Sequence, residues 1–345
     1  MRIVLVGVAA LSVVLGGYSY WWYTVAETAE KQILQQKQVW EKKGYEIEHS
    51  PIETSGFPYR VKLSLASLIV RKSEEQNIRT VETRGIWAVV QPWNIKHVIF
   101  GTEQRLALQT QKQETVDVFE LAPEAAIGSA KVDNAGKLTT LSIDINNAKI
   151  QKNGTEEAAL DRLQIHERGR AITQKTAEGD ETSKEGRQLA IRIDNLVLAG
   201  RPDIPMGNTI KRLAFSSVLE GEWTDLKDRS SAEKWRDAGG ILNIDEMTVN
   251  WGPSDLDISG ALSLDDDTAP IGALKAKLTG FEQILEPVIK QQGLDKKSAR
   301  TLSFALNLMA KENEQAIRYL DIPLNLQNGG LYLGPFKLRE LDPIY

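Results

Sequence analysis

The first hydrophobic pattern along the chain is unbroken rather than periodic. Residues 3–23 carry no charge, consist mainly of Ile, Val, Leu and Ala, and end in Tyr18, Tyr20, Trp21, Trp22 and Tyr23. A helix of these 21 residues rises about 31 Å, the thickness of a bilayer's hydrocarbon layer. Two readings compete. A cleaved signal peptide needs a basic start, a short apolar stretch and a small-x-small cleavage site. Only Arg2 supplies the charge, the apolar stretch 3–15 is short enough, and the only cleavage-like triplet is Thr24-Val25-Ala26. Aromatic residues stand where small ones should, and such side chains prefer the headgroup region. An uncleaved transmembrane anchor over residues 1–24 is therefore the favoured reading. Arg2 then favours a cytoplasmic N-terminus, with the body outside the cytoplasm.

Strong helix formers fill residues 26–43 and Gly44 supplies a stop, which predicts a helix continuing the span. Its apolar stripe is sparse, with Ile33, Val39 and Trp40, so residues 25–44 read as a solvated helical stalk.

From Gly44 onward the period is two. Tyr59, Val61, Leu63 and Leu65 alternate with Arg60, Lys62 and Ser64, after the turn Ser55-Gly56-Phe57-Pro58. Similar strands are predicted at 45–52, 79–90, 97–100, 105–110, 116–121, 125–132 and 138–150. Residues 154–168 are ambiguous, starting like a helix and then alternating through Leu163-Gln164-Ile165-His166. Residues 169–187 are the most polar stretch and read as an exposed loop dividing an N-terminal β-rich lobe, 45–168, from a C-terminal one, 188–345.

In the C-terminal lobe, strands are predicted at 188–199 and 210–223, a short helix carrying Trp235 at 231–237, and a meander at 241–251, 256–264 and 272–279. Phe281, Ile284, Leu285, Val288 and Ile289 share one helical face despite Pro287. Leu302, Ala305, Leu306 and Met309 do the same within 298–311, and short strands at 322–326, 331–333 and 336–338 end the chain. The total is roughly fifteen strands and a few grouped helices, an α+β fold, predominantly β, of large curved antiparallel sheets. An echo between residues 87–108 and 249–264 fits either two related lobes or chance similarity of meanders.

Composition narrows the chemistry. Cysteine is absent, which removes disulfides, thiolate metal sites and a cysteine nucleophile. Acidic residues outnumber basic ones, 47 to 42, and no basic stripe occurs, which argues against nucleic acid as a partner. His49, His97 and His166 have no ligand-like spacing and read as solvated strand residues. Asp265-Asp266-Asp267 is the best cation candidate but lacks the alternating spacing of a calcium loop, and Asp favours turns on its own account. Asn153-Gly154-Thr155 reads as a turn. Trp40, Trp87, Trp93, Trp223, Trp235 and Trp251 read as core fillers, with a stacking platform for sugar or lipid as the sharper alternative. No nucleophile elbow, phosphate loop or dinucleotide fingerprint is present. No catalytic, cofactor-binding or metal residue is assigned, and no cofactor is expected.

Several strings occur together: Ser55-Gly56-Phe57-Pro58-Tyr59-Arg60, Gln91-Pro92-Trp93, Trp235-Arg236-Asp237-Ala238-Gly239-Gly240, Val249-Asn250-Trp251-Gly252-Pro253 and Gly329-Gly330-Leu331-Tyr332-Leu333-Gly334-Pro335. In this combination the chain resembles the bacterial domain-of-unknown-function family numbered 2125, over nearly its whole length. The resemblance implies a membrane-anchored protein of alphaproteobacterial type, single-pass in the inner membrane with its body in the periplasm. It carries no activity, cofactor or catalytic residue. The repeated strand–Gly–strand units are also similar to AsmA-like envelope proteins, linked to lipid transport and outer-membrane assembly, a likeness of fold alone. The expectation is a non-enzymatic binding protein of the cell envelope, handling lipid in an apolar sheet groove lined by helices such as 281–292 and 298–311. The alternative is a scaffold for another envelope protein. A hydrolase using paired carboxylates ranks third, since 47 acidic residues place some pair together in any fold.

Overall fold

The computed structural model describes residues 2–344 apart from 75–76, 103, 114, 176–180, 201–203, 205, 222–227, 284, 286–295 and 334–335. The chain divides into two compact units, Met1–Ala159 and Leu160–Tyr345. Both are built on antiparallel β-sheet, as the alternating pattern predicts.

The first unit opens with helix α1, Arg2–Lys42, which joins the apolar run and the expected stalk into one element of 41 residues. It ends where Gly44 takes φ +83°, a conformation that costs glycine little. Strands β1 (Tyr45–His49) and β2 (Glu53–Ser55) both pair with β3 (Val61–Glu74), which pairs with β4 (Asn77–Gln91). β4 serves two partners. Its end half lies against β5 (Asn94–Thr102), and its first half against β6 (Leu106–Lys112). β5 then pairs with β8 (Ala125–Val132) and β6 with β7 (Thr115–Ala122); both courses reach β9 (Leu138–Lys152). β5 with β6, and β7 with β8, are thus two halves of single courses. The second break falls at Pro123, which has no N–H to give a ladder.

The registers sort the side chains onto two faces. One row reads Val61, Val90, Val98, Ala130, Leu141 across β3, β4, β5, β8 and β9, and the next on that face reads Leu63, Ala88, Phe100, Gly128, Ile143. The row between them, on the opposite face, contains Lys62, Ser129 and Ser142. One face of this sheet is therefore apolar, and α1 covers part of it.

That contact narrows the expectation of a solvated stalk to its later part: Val25 and Ala26 are buried, whereas residues 31–36 and 38–42 are exposed. Trp22, Val25 and Ala26 are buried in one cluster with Val61 and Leu63, and Ala29, Ile52 and Val90 pack against it. The physical reason is the spacing: residues 22, 25, 26 and 29 fall on one side of a helix. Three of them belong to the stretch read as stalk and the fourth, Trp22, to the aromatic exit. Trp40 further along packs on Tyr45, ring centroids 4.9 Å apart.

The second unit contains most of β10 (Thr155–Lys175), followed by β11 (Glu181–Leu198), β12 (Thr209–Glu220), helix α2 (Arg229–Asp237), β13 (Ile241–Trp251), β14 (Ser254–Leu264) and β15 (Pro270–Thr279). Helix α3 (Lys296–Met309), β16 (Lys311–Glu312), β17 (Arg318–Gln327), β18 (Gly330–Leu333) and β19 (Phe336–Glu340) complete it. The ladder β11–β12–β13–β14–β15–β17 is antiparallel throughout. It too has an apolar face: Ile193, Leu213, Val249, Leu256, Leu278 and Leu320 form one cross-strand row. The intervening row is polar, with Arg192, Thr248, Asp257, Lys277 and Asp321. α2 is capped by Asp228, whose side chain accepts from Ser230 N, and buries Ala232 and Trp235 against Leu264.

The exposed polar loop expected at 169–187 is strand over its described residues, and 176–180 lie outside them. Residues 169–175 continue β10 and 181–187 begin β11. Polar side chains on both faces hide a strand from any hydrophobic period, and cross-strand partners hold it instead: Arg187 bonds Glu167, and Arg168 Nε donates to Gln188 Oε1 at 2.9 Å. The helical start read at 155–160 is likewise strand. Trp223 and most of the expected helix at 281–292 lie outside the described residues.

Candidate functional site

The apolar face of the first sheet and the flank of α1 leave a groove of about 430 Å³ between them. Its helical wall carries Trp21, Val25, Ala29 and Ile33 at i, i+4 spacing. Its sheet wall carries Val61 and Leu63 from β3, Ala88 and Val90 from β4, and Val98 from β5. Thr24 and Thr28 also line it, but their hydroxyls donate within the helix, to Tyr20 O at 2.9 Å and Thr24 O at 2.7 Å. Gln32 also lines it, so the wall is predominantly hydrocarbon with one side-chain amide, and it holds no charged side chain. Its volume is within the range of small-molecule sites, about 300–1,000 Å³. From Trp21 to Ile33 the helix rises about 18 Å, so the groove has the length for an acyl chain.

The helix is fixed to the sheet at its aromatic exit. Tyr18 Oη donates to Pro58 O at 2.5 Å, and Trp22 Nε1 donates to Arg60 O at 3.0 Å. Phe57 stands edge-on to Trp22 with ring centroids 5.6 Å apart. The loop reaches this position by a tight closure at Gly56, φ +101°, where a Cβ would stand 2.6 Å from Arg60 O.

The groove lies against α1, whereas the sequence pattern places one against 281–292 and 298–311. α3 instead leaves Phe304 and Leu308 70% and 76% exposed and is tied to β17 by Arg318, which donates to Asn307 Oδ1 at 2.9 Å. The signal for this groove was present as a helical stripe, residues 21, 25, 29 and 33. Its partner strands lie some thirty to seventy-five residues away, which no local pattern connects.

The other candidates fall as follows. His49, on β1, contacts Ser50 O through Nδ1 at 2.7 Å; His97 lies on β5 and His166 on β10. Among the described residues no group of three or more His, Asp or Glu is placed to hold a metal ion. Asp265 uses its carboxylate locally, Oδ1 accepting from Asp267 N at 3.0 Å and Ala269 N at 2.8 Å, which is a turn's chemistry. Arg236 Nη1 donates to the Asp265 and Asp266 carbonyls at 2.9 and 3.1 Å. Two carboxylates, Glu82 and Glu120, line a hollow of about 130 Å³, but Arg84 and Arg105 pair them at 3.5 and 3.1 Å. Trp22 and Trp235 are buried in separate core clusters, one in each unit, whereas Trp93 is 62% exposed.

Compared with known protein families, residues 22–341 match the family described as "Uncharacterized protein conserved in bacteria (DUF2125)". The chain belongs to this family. The match begins at Trp22, the residue that seats α1 on the sheet, and covers both units of this DUF2125 member. No curated protein and no solved structure matches the chain. α1 is long and apolar enough to cross a membrane, with a mean hydropathy of 1.6 in its most apolar window.

Proposed function

We propose that this protein is a non-enzymatic lipid-binding protein of the bacterial cell envelope, held in the inner membrane by α1, with its N-terminus cytoplasmic and both units in the periplasm. The groove beside α1 takes an acyl chain. The observation that carries the reading is the groove's position: its apolar walls begin at Trp21, inside the aromatic exit of the span, and continue along the apolar sheet face. A chain leaving the bilayer meets no polar barrier before reaching Val61 and Leu63. An uncleaved anchor is part of the same reading. Cleavage after Ala26 would strip Trp22, Val25 and Ala26 out of the core cluster and remove half of the groove's helical wall.

The test is mass spectrometry of the full chain purified in mild detergent. The expected result is an intact mass that retains residues 2–26, with phospholipid or another acylated lipid bound, and loss of that lipid in Val98→Arg, which puts a charge on the groove wall. A lipid-free wild-type chain, or equal lipid in both proteins, would contradict it. A second reading, a scaffold for another envelope protein, is favoured by one observation: Phe304, Leu308 and Met309 on α3 are 70%, 76% and 47% exposed.

A further inference from the structure

We propose that the loop at 56–60 and the β4–β5 turn at 92–95 form an aromatic foot that sits in the headgroup layer of the membrane α1 crosses, so that the first sheet stands directly on the bilayer. The inference rests on α1 being an anchor; it does not depend on what fills the groove.

Depth is fixed by the helix. The apolar run ends at Tyr23, and a span of that length exhausts the hydrocarbon layer there, about 31 Å from its start. The hydrogen bonds from Tyr18 to Pro58 and from Trp22 to Arg60 hold the loop beside those last residues of the span. The loop therefore lies at the level of the aromatic belt, where Trp and Tyr are favoured. The register Val61↔Val90 places the β4–β5 turn at the same end of the sheet. Pro92 is buried there, while Trp93 is exposed and Ile95, also exposed, borders the groove beside α1.

Exposure distinguishes this end from the rest of the unit. Phe57, Tyr59, Trp93 and Ile95 are 51%, 77%, 62% and 54% exposed. The large exposed apolar residues elsewhere on the unit's described strands, such as Val81, Leu108 and Ile127, lie between 38% and 45%. Three of these side chains stand at two loop tips, with Ile95 beside them at the start of β5; together they form an apolar patch that needs a partner, and the partner already adjacent is lipid. Tyr20, Trp21 and Tyr23 on α1 are also exposed and complete a collar around the exit. Arg60 and Lys96, both exposed at this end, supply cations for lipid phosphate.

The sheet leads away from this foot. Trp22 meets β3 at Val61, and Trp40 meets Tyr45, whose partner on β3 is Lys72, so helix and strand advance together. Ile127 pairs with Gly101, seven residues from Asn94 and about 23 Å along the strand. It is the natural aqueous reference.

Because the chain has no cysteine, single nitroxide labels at Val8→Cys, Tyr59→Cys, Trp93→Cys and Ile127→Cys are unambiguous. The full chain is reconstituted in phosphatidylethanolamine–phosphatidylglycerol vesicles, and each label's collisions with oxygen and with an aqueous nickel chelate are measured. The expected result is oxygen access without nickel access at 8, loss of nickel access at 59 and 93 relative to 127, and free nickel access at 127. If 8 is in the bilayer but 59 and 93 meet nickel as freely as 127, the foot is refuted and the anchor stands. If 8 also meets nickel freely, the anchor reading fails and the foot fails with it.

Discussion

Trp235 shows how a single residue pins an element. Its ring is 3% exposed and its indole N–H donates to Glu220 O at 2.6 Å, so α2 is held to the sheet by one large apolar body and one polar handle. The ring packs on Gly240, where a Cβ would stand 2.2 Å from it. Gly240→Ala is expected to lower stability by about 1–3 kcal/mol through overpacking alone. The check is the thermal unfolding midpoint, with a red shift of tryptophan emission as the ring is displaced. An unchanged midpoint would mean that the ring has room to move. Electrostatics at the surface is readable at the same scale. Lys311 donates to Asp321 at 2.9 Å and holds that carboxyl below its ordinary value of 3.8. The pair's contribution is present above that value and is lost as pH falls through the lower folded one. An NMR titration should show Asp321 gaining its proton at lower pH in the wild-type chain than in Lys311→Ala; coincident midpoints would exclude the pairing. The Asp265 turn was legible because Asp favours turns, and its carboxylate bonds the backbone of the turn itself.

At the scale of elements, the strands whose apolar period is clean were legible nearly to the residue: the pattern at 125–132 and 241–251 coincides with β8 and β13. Two elements were not, for opposite reasons. α1 was legible as a helix, but its burial depends on β3, β4 and β5, which approach it only in the fold. β10 and β11 carry polar residues on both faces, and pairing between strands overrides the loop-like composition. Limited trypsin digestion distinguishes the two descriptions of 169–187. Strand pairing predicts that Arg168 and Arg187, each with a cross-strand partner, resist cleavage in the folded protein. Rapid cutting at either would restore the loop. The groove was the least legible feature, because half of it is a stripe on a helix that looked solvated.

At the scale of the whole molecule, the tether changes meaning. A stalk would hold a β-rich body away from the membrane; under the proposed anchor, a helix docked at Trp22, Val25 and Ala26 would bring the first unit to the bilayer surface. On that proposal the apolar groove would open where acyl chains are available, and lipid would be the occupant that needs the fewest steps to reach it. The most direct measurement places a small diazirine-bearing side chain at Ala88, inside the groove, and at Ser142, on the opposite face of the same sheet, in cells illuminated before lysis. The expected result is a lipid adduct on the chain labelled at 88 and none on the chain labelled at 142. Adducts to protein alone at 88, or equal lipid labelling at both positions, would contradict an acyl-chain groove beside α1.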